Sequence, residues 1–132
     1  MFDGCVRLQE LDLRNWNTEK LTGNGITYLF RNCYALKYIL GLDKLYINNI
    51  TSLAGMFVSC LSLIDFSGIT YWNTSNVINL SSTFYNCSSL KIVNLSHWNV
   101  EKVTTINSMF YNCQNLEHIS FPSGPTATLT GT

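Results

Sequence analysis

A chain of 132 residues with 46% apolar content is one domain's worth of polypeptide with enough apolar surface for a core. Only 12% of it is charged, eight acids cancelling eight bases, which leaves no basic stripe to follow a phosphate backbone and removes support for nucleic-acid binding. No apolar run approaches the roughly 20 residues needed to cross a bilayer, the best stretch, Tyr38 to Ile47, being broken by Asp43 and Lys44.

The polar surface must come from uncharged side chains, 15 Asn among them. No charged region followed by an apolar one opens the chain as in a signal peptide. Met1 instead holds the position later taken by Met56 and Met109, so the sequence starts inside a unit and reads as a fragment of a longer repeat. The unit is marked by Met1-Phe2-Asp3-Gly4-Cys5, then by Phe30-Arg31-Asn32-Cys33, Phe57-Val58-Ser59-Cys60, Phe84-Tyr85-Asn86-Cys87 and Phe110-Tyr111-Asn112-Cys113. Every cysteine falls in this phrase, and a leucine follows each by three residues: Leu8, Leu36, Leu63, Leu90 and Leu116. Successive cysteines are 28, 27, 27 and 26 residues apart. A fixed period of that size is the mark of a stacked repeat array.

Along the chain, Leu8-Leu11-Leu13 ends in period-two alternation, the pattern of a short strand with one face on a core. The same reading applies to Leu36-Ile39, Leu63-Phe66, Leu90-Val93-Leu95 and Leu116-Ile119-Phe121. Between Leu21 and Ile26 the segment Thr22-Gly23-Asn24-Gly25 holds two extra residues and predicts a turn. Gly41 and Gly68, each eight residues after its cysteine, suggest a bulge or looser arc where the strand ends. Ile50-Leu53-Phe57, Val77-Leu80-Phe84 and Val103-Ile106-Phe110 have the 0, +3, +7 spacing of one face of a short helical or 3-10 arc. Asn17-Thr18 and Asn73-Thr74 supply start signals, since short polar side chains satisfy the open amides of a first turn. Each unit thus reads strand, turn, arc, turn. Its apolar face is covered only by stacking, and three or more units are needed. The predicted core consists of Phe30, Cys33, Leu36, Phe57, Cys60, Leu63, Phe84, Cys87, Leu90, Phe110, Cys113 and Leu116. The repeat region spans 1–121; residues 122–132, uncharged and carrying two prolines, read as a polar tail or an unfinished repeat.

Five cysteines are an odd number for a closed disulfide framework. An identical column in every turn suits a small buried apolar residue. Disulfide rungs are the alternative, because equivalent residues of neighbouring turns would lie about 4.7–4.9 Å apart. No CxxC or histidine spacing supports zinc.

The strand pattern with its Phe-x-x-Cys-x-x-Leu turn resembles the leucine-rich-repeat superfamily, and more closely the BspA-type surface-protein repeats shared with mycoplasma-type lipoproteins. The residues that carry the resemblance are Val93-Asn94-Leu95-Ser96-His97-Trp98-Asn99-Val100 through Ser108-Met109-Phe110-Tyr111-Asn112-Cys113. Trp72-Asn73-Thr74-Ser75-Asn76-Val77 through Phe84-Tyr85-Asn86-Cys87 carry it a second time. The second unit departs from the pattern, with Leu45-Tyr46 in place of Trp-Asn. The resemblance implies an α/β repeat, a right-handed solenoid of about five turns. Short parallel strands would line its concave face and short helical or 3-10 arcs its convex face. It also implies a cell-surface or secreted location, a protein, host-cell or matrix ligand, and no catalysis or cofactor.

On that layout the residues between the core leucines face outward on the strand side: Glu10, Asp12 and Arg14; Tyr38 and Leu40; Asp65 and Ser67; Ile92, Asn94 and Ser96; His118 and Ser120. Repeat arrays bind through such a surface, and aromatic residues are favoured anchors. Arg31, Val58, Tyr85 and Tyr111 form a second, weaker stripe beside the Phe-Cys turn. Trp16, Trp72 and Trp98 share one phase, which fits packing at a corner, with a sugar-stacking platform as the alternative. Asn32, Asn86 and Asn112 before the cysteines, and Asn17, Asn73 and Asn99 after the tryptophans, are expected to bond the backbone of adjacent turns. His97 and His118 fall at different phases and form no catalytic pair. Two functions follow as expectations: a non-enzymatic interaction or adhesion module, and a structural piece that stacks end to end through uncapped ends.

Overall fold

The computed structural model describes residues 1–122; residues 123–132, the region of the expected tail, lie outside it. Four three-residue strands come first from the period-two segments: β1 (Glu10–Asp12), β2 (Tyr38–Leu40), β3 (Ile92–Asn94) and β4 (His118–Ser120). They pair in parallel between consecutive units. Glu10, Leu11 and Asp12 face Tyr38, Ile39 and Leu40, while Ile92, Val93 and Asn94 face His118, Ile119 and Ser120. Those offsets are the cysteine periods of 28 and 26, so each unit lies directly on the one before it. On the other half of the unit, single parallel bridges join Gly23 to Ile50, Ser52 to Asn79 and Asn79 to Thr105.

The sheet is interrupted in the third unit. The segment in register there is Asp65-Phe66-Ser67, and the described residues show no strand in it. The Asp65 carboxylate accepts the Ser67 amide at 2.9 Å, and the chain enters a 3-10 turn, Ser67–Ile69, instead of extending. A short side chain that bonds its own backbone two residues on competes directly with a ladder. A matching 3-10 turn, Leu42–Lys44, follows β2 and stacks beneath it. Gly41, where the sequence predicts a bulge or looser arc, lies just before the Leu42–Lys44 turn, and Gly68, where it predicts another, lies inside the Ser67–Ile69 turn.

The expected helical arcs are absent: Ile50–Phe57, Val77–Phe84 and Val103–Phe110 contain no helix. The amides decide this. Leu53, Gly55, Phe57 and Ser59 donate to Asn79, Ser81, Thr83 and Tyr85 of the next unit, while Met56, Val58 and Cys60 donate to Leu53, Gly55 and Phe57 within their own. Half of the donors a helix needs are thus spent between units, leaving a chain of linked turns. Such turns require left-handed residues, and each of the last four Phe-Cys turns has two: Tyr28 and Asn32, Gly55 and Ser59, Ser82 and Asn86, Ser108 and Asn112; Gly4 holds the second place in the first turn. Asparagine tolerates that conformation better than most side chains. The Asn column before the cysteines is therefore explained by its backbone conformation and not by bonds to adjacent backbone. The side chains themselves form a ladder, Asn112 donating to Asn86 at 2.7 Å and Asn86 to Ser59 at 3.1 Å. The Asn column after the tryptophans is also local, each carboxamide oxygen accepting the amide two residues on, at Glu19, Ser75 and Glu101.

Between these two sides lies one continuous apolar core. Phe2, Phe30, Phe57, Phe84 and Phe110 stack face to face with centroids 5.3–5.8 Å apart, and Phe66 closes edge-on against Phe57 and Phe84. Phe30, Cys33, Leu36, Phe57, Cys60, Leu63, Phe84, Cys87 and Leu90 are fully buried, whereas Phe110, Cys113 and Leu116 at the end of the array are half-buried.

The five cysteines are free thiols. Each described thiol after the first lies 3.0–3.2 Å from the phenylalanine carbonyl of the preceding unit: Cys33 on Phe2, Cys60 on Phe30, Cys87 on Phe57 and Cys113 on Phe84. Cysteine therefore fills a small core site and donates weakly to a carbonyl lone pair. Burial pushes the Cys33 thiol up to about 11 and raises Cys60, Cys87 and Cys113 as well. Because the thiolate is the reactive form, iodoacetamide on the native protein is expected to label Cys5 first and Cys60 and Cys87 last. Peptide mass mapping at short times checks this, and equal labelling of all five would contradict the buried column.

Candidate interaction surface

Alternation along the strands sends Leu11, Ile39, Val93 and Ile119 toward the core and their neighbours outward. The outward side chains are Glu10 and Asp12, Tyr38 and Leu40, Ile92 and Asn94, and His118 and Ser120. Ile92 is 62% exposed and Tyr38 50%, large apolar surfaces for a solvated strand face. Asp65 and Ser67 are exposed at the interruption.

These residues are not equivalent in chemistry. Asp12 is held in a two-point ion pair with Arg14 and also accepts the Arg14 amide, which pulls its carboxyl down to about 2. Asn94 accepts both the amide and the hydroxyl of Ser96 at 3.0 and 2.6 Å. Hydrogen bonds from the Ser67 hydroxyl and amide lower Asp65. Asp12, Asp65 and Asn94 are thus occupied in ending their strands or replacing one. The apolar contact surface falls to Tyr38, Leu40 and Ile92. One residue outside the predicted set joins them: Ile64 is 57% exposed. It lies one position before the predicted outward column and directly after the core residue Leu63, where strict alternation from the outward Asp65 would place an inward side chain. Ile64, Asp65, Phe66, Ser67, Ile92 and Asn94 line an open groove of about 330 Å³ where the sheet is interrupted.

Three of the four residues of the second stripe, all but Val58, are already paired within the molecule. Arg31 makes a two-point ion pair with Asp3 and lies 4.5 Å over the Tyr28 ring, and Tyr85 stacks on Tyr111 at 4.9 Å. The tryptophans divide. Trp72 and Trp98 are 5% and 3% exposed and donate their indole N–H to Leu42 and Ile69 of the preceding unit, while Trp16 of the first unit is 40% exposed. His97 packs edge-on against Tyr71 at 4.6 Å, apart from His118 on β4. Among the described residues no group of three or more His, Cys, Asp or Glu side chains is placed to hold a metal ion, and no helix is long and apolar enough to cross a membrane.

Residues 24–121 match the family model described as "Mycoplasma protein of unknown function, DUF285". The chain belongs to this family. None of the curated proteins matches this DUF285 chain. Two solved structures share its fold. A leucine-rich cell surface protein from Faecalibacterium prausnitzii A2-165 superposes with a TM-score of 0.52 at 24% identity over 95% of this chain. A T. pallidum leucine-rich repeat protein gives a TM-score of 0.52 at 21% identity over 90%. The DUF285 chain spans 29% and 59% of those two proteins respectively. Its architecture is a leucine-rich-repeat fold, similar to that of a cell-surface protein.

Proposed function

We propose that this chain is a non-enzymatic interaction or adhesion module of a cell-surface or secreted repeat protein. Residues 1–121 form a right-handed solenoid of five turns, with the strands on its concave face. That face binds a protein of the host-cell surface or matrix. The contact set is Glu10, Asp12, Arg14, Tyr38, Leu40, Asp65, Ile92, Asn94 and His118, with Tyr38 and Ile92 as apolar anchors between the charged and hydrogen-bonding groups. The observation that carries this reading is the outward apolar surface on β2 and β3: two large side chains stand in solvent where a strand face without a partner takes polar residues. Aromatic and aliphatic anchors ringed by polar groups are the usual energetic centre of protein interfaces.

The test is a binding comparison on immobilised matrix proteins and epithelial cell surfaces. Tyr38→Ser and Ile92→Ser together are expected to weaken binding at least tenfold with little change in melting temperature, because both side chains are largely exposed. Equal changes at Tyr71 and Tyr111, away from the strands, are the control. Binding that survives the strand-face pair but falls with the control pair would move the contact surface elsewhere.

A further inference from the structure

Among the described residues the third unit is the one place where the sheet lacks a strand, and both neighbouring strands keep an open edge toward it. In β2 the Lys37 and Tyr38 amides go to the Gln9 carbonyl, and the Leu40 carbonyl takes the Leu13 amide. In β3 the Lys91 carbonyl takes the Glu117 and His118 amides, and the Leu95 amide goes to the Ser120 carbonyl. Residues of a parallel strand turn alternately to one neighbour and to the other. The backbone amides and carbonyls of Ile39, Ile92 and Asn94 therefore face the third unit. Among the described residues no backbone bond joins Asp65-Phe66-Ser67 to either strand.

The segment in the gap has the position of a strand and the conformation of a turn. Phe66 takes the inward place of Ile39 and Val93 and is buried, so extending the segment keeps its ring in the core. Its φ of −109 already suits a parallel strand, and only its ψ of 13 turns the chain away. Gly68 matches Gly41, whose φ is +79, so the third unit carries glycine where the path of the second needs a left-handed residue. The Ser67 amide is held by the Asp65 carboxylate at 2.9 Å, whereas Leu40, its equivalent in the second unit, lies in the ladder with β1. The groove of about 330 Å³ between this segment and β3 gives it room to move.

Going beyond the surface-binding function and independent of it, we propose that Asp65-Phe66-Ser67 is a strap with two positions. In the open position the Asp65 carboxylate holds the Ser67 amide. In the closed position that amide passes to the Ile39 carbonyl, and the Ile92 and Asn94 amides donate to the Ile64 and Phe66 carbonyls. The two short sheets then become one sheet of five strands. Closing gives up the Asp65 contact and the 3-10 bonds from Ile69 to Phe66 and from Thr70 to Ser67, and it gains ladder bonds on both sides. It fills the groove and sets Tyr38, Asp65 and Ile92 in one outward row. The strand face thus has a split form and a continuous form, and the bond from Ser67 to Asp65 selects the split one.

Native-state hydrogen exchange followed by NMR on the 132-residue chain tests this. In the wild type the Ile92 and Asn94 amides are expected to exchange at least tenfold faster than the Leu95 amide, which is bonded to Ser120. Asp65→Ile and Asp65→Tyr remove the carboxylate and install the residues that β3 and β2 carry at the same place. Position 65 is exposed, so both variants are expected to keep the fold, which circular dichroism checks. Each is expected to slow exchange at Ile92 and Asn94 at least tenfold. Asp65→Asn keeps an acceptor, as Asn94 does for the Ser96 amide, and is expected to exchange like the wild type. Wild-type Ile92 and Asn94 amides as protected as Leu95 would overturn the proposal, because the strap would already be closed. Folded Asp65→Ile and Asp65→Tyr variants that exchange like the wild type overturn it as well. Equal slowing in Asp65→Asn overturns it too, since the acceptor at position 65 would then not be what holds the strap open.

Discussion

Phe84→Ala is expected to lower the unfolding free energy by about 3–5 kcal/mol, the range for truncating a fully buried phenylalanine. Phe84 is fully buried and touches three other rings: Phe57 at 5.7 Å, Phe110 at 5.3 Å and, edge-on, Phe66 at 5.4 Å. Removing it takes away apolar burial and leaves a ring-sized gap between two units. Each lost ring pair also carries roughly 0.5–1.5 kcal/mol beyond its area. Stability in a stacked array is close to a sum of unit terms and nearest-neighbour interfaces, so the site of loss matters. Phe84→Ala weakens the coupling between the third, fourth and fifth units. The denaturant transition should therefore broaden as well as shift, the ends ceasing to unfold together. Phe110→Ala, at a half-buried end position with an open side, should cost clearly less. Urea unfolding followed by tryptophan fluorescence and by circular dichroism reads both effects. Equal losses at Phe84 and Phe110 would contradict a stack that is closed in the middle and open at the end.

What was legible in the sequence was the period. The Phe-x-x-Cys-x-x-Leu phrase is visible because a stacked array puts each equivalent residue in the same environment, so one side-chain solution recurs in every unit. The strand segments were legible for the same reason: Leu11-Asp12-Leu13 and Val93-Asn94-Leu95 show period-two alternation directly. The arcs were not. Ile50-Leu53-Phe57 has helical spacing, yet spacing reports only which side chains point inward and not where the amides go. Linked turns that donate alternately within and between units bury the same positions as a helix and differ in hydrogen bonding. The clue lay in the residues between them, since Asn32, Gly55, Asn86 and Asn112 are the types that tolerate positive φ.

The candidate surface was legible in its outline and not in its chemistry. Alternation identified Tyr38 and Ile92, and nothing in the sequence showed that Asp12 pairs with Arg14 or that Asn94 is bonded to Ser96. Both contacts are two residues apart and depend on the backbone leaving the strand at that point. The interruption at Asp65 is of the same kind. Repeat three has the apolar pattern of a strand, and a single short carboxylate captures the amide that would have joined the ladder.

Gly41→Val is expected to cost about 2–5 kcal/mol and to disturb the β1–β2 pair specifically. Gly41 has φ +79, and a Cβ built on it would lie 2.7 Å from the Arg14 backbone nitrogen and 2.9 Å from the Arg14 Cα. A left-handed conformation alone costs an L-residue about 1–2 kcal/mol, and forcing extra atoms into packed structure adds about 1–3 kcal/mol. Both of those atoms are backbone, so moving the Arg14 side chain, whose Cγ lies at 2.8 Å, does not relieve the contact. The chain after β1 must move away from the chain after β2, opening the bond from the Leu13 amide to the Leu40 carbonyl at 2.8 Å. Gly4→Val separates the two contributions. Gly4 has φ +76 with nothing within 4 Å of the added atom, so it is expected to show only the conformational part. Native-state hydrogen exchange locates the damage: the Leu13 amide should lose protection in Gly41→Val and keep it in Gly4→Val, while the Leu95 amide, bonded to Ser120 across β3 and β4, keeps its protection in both. Equal destabilisation by the two substitutions would show that the close approach of the first and second units at Arg14 is not what requires glycine at position 41.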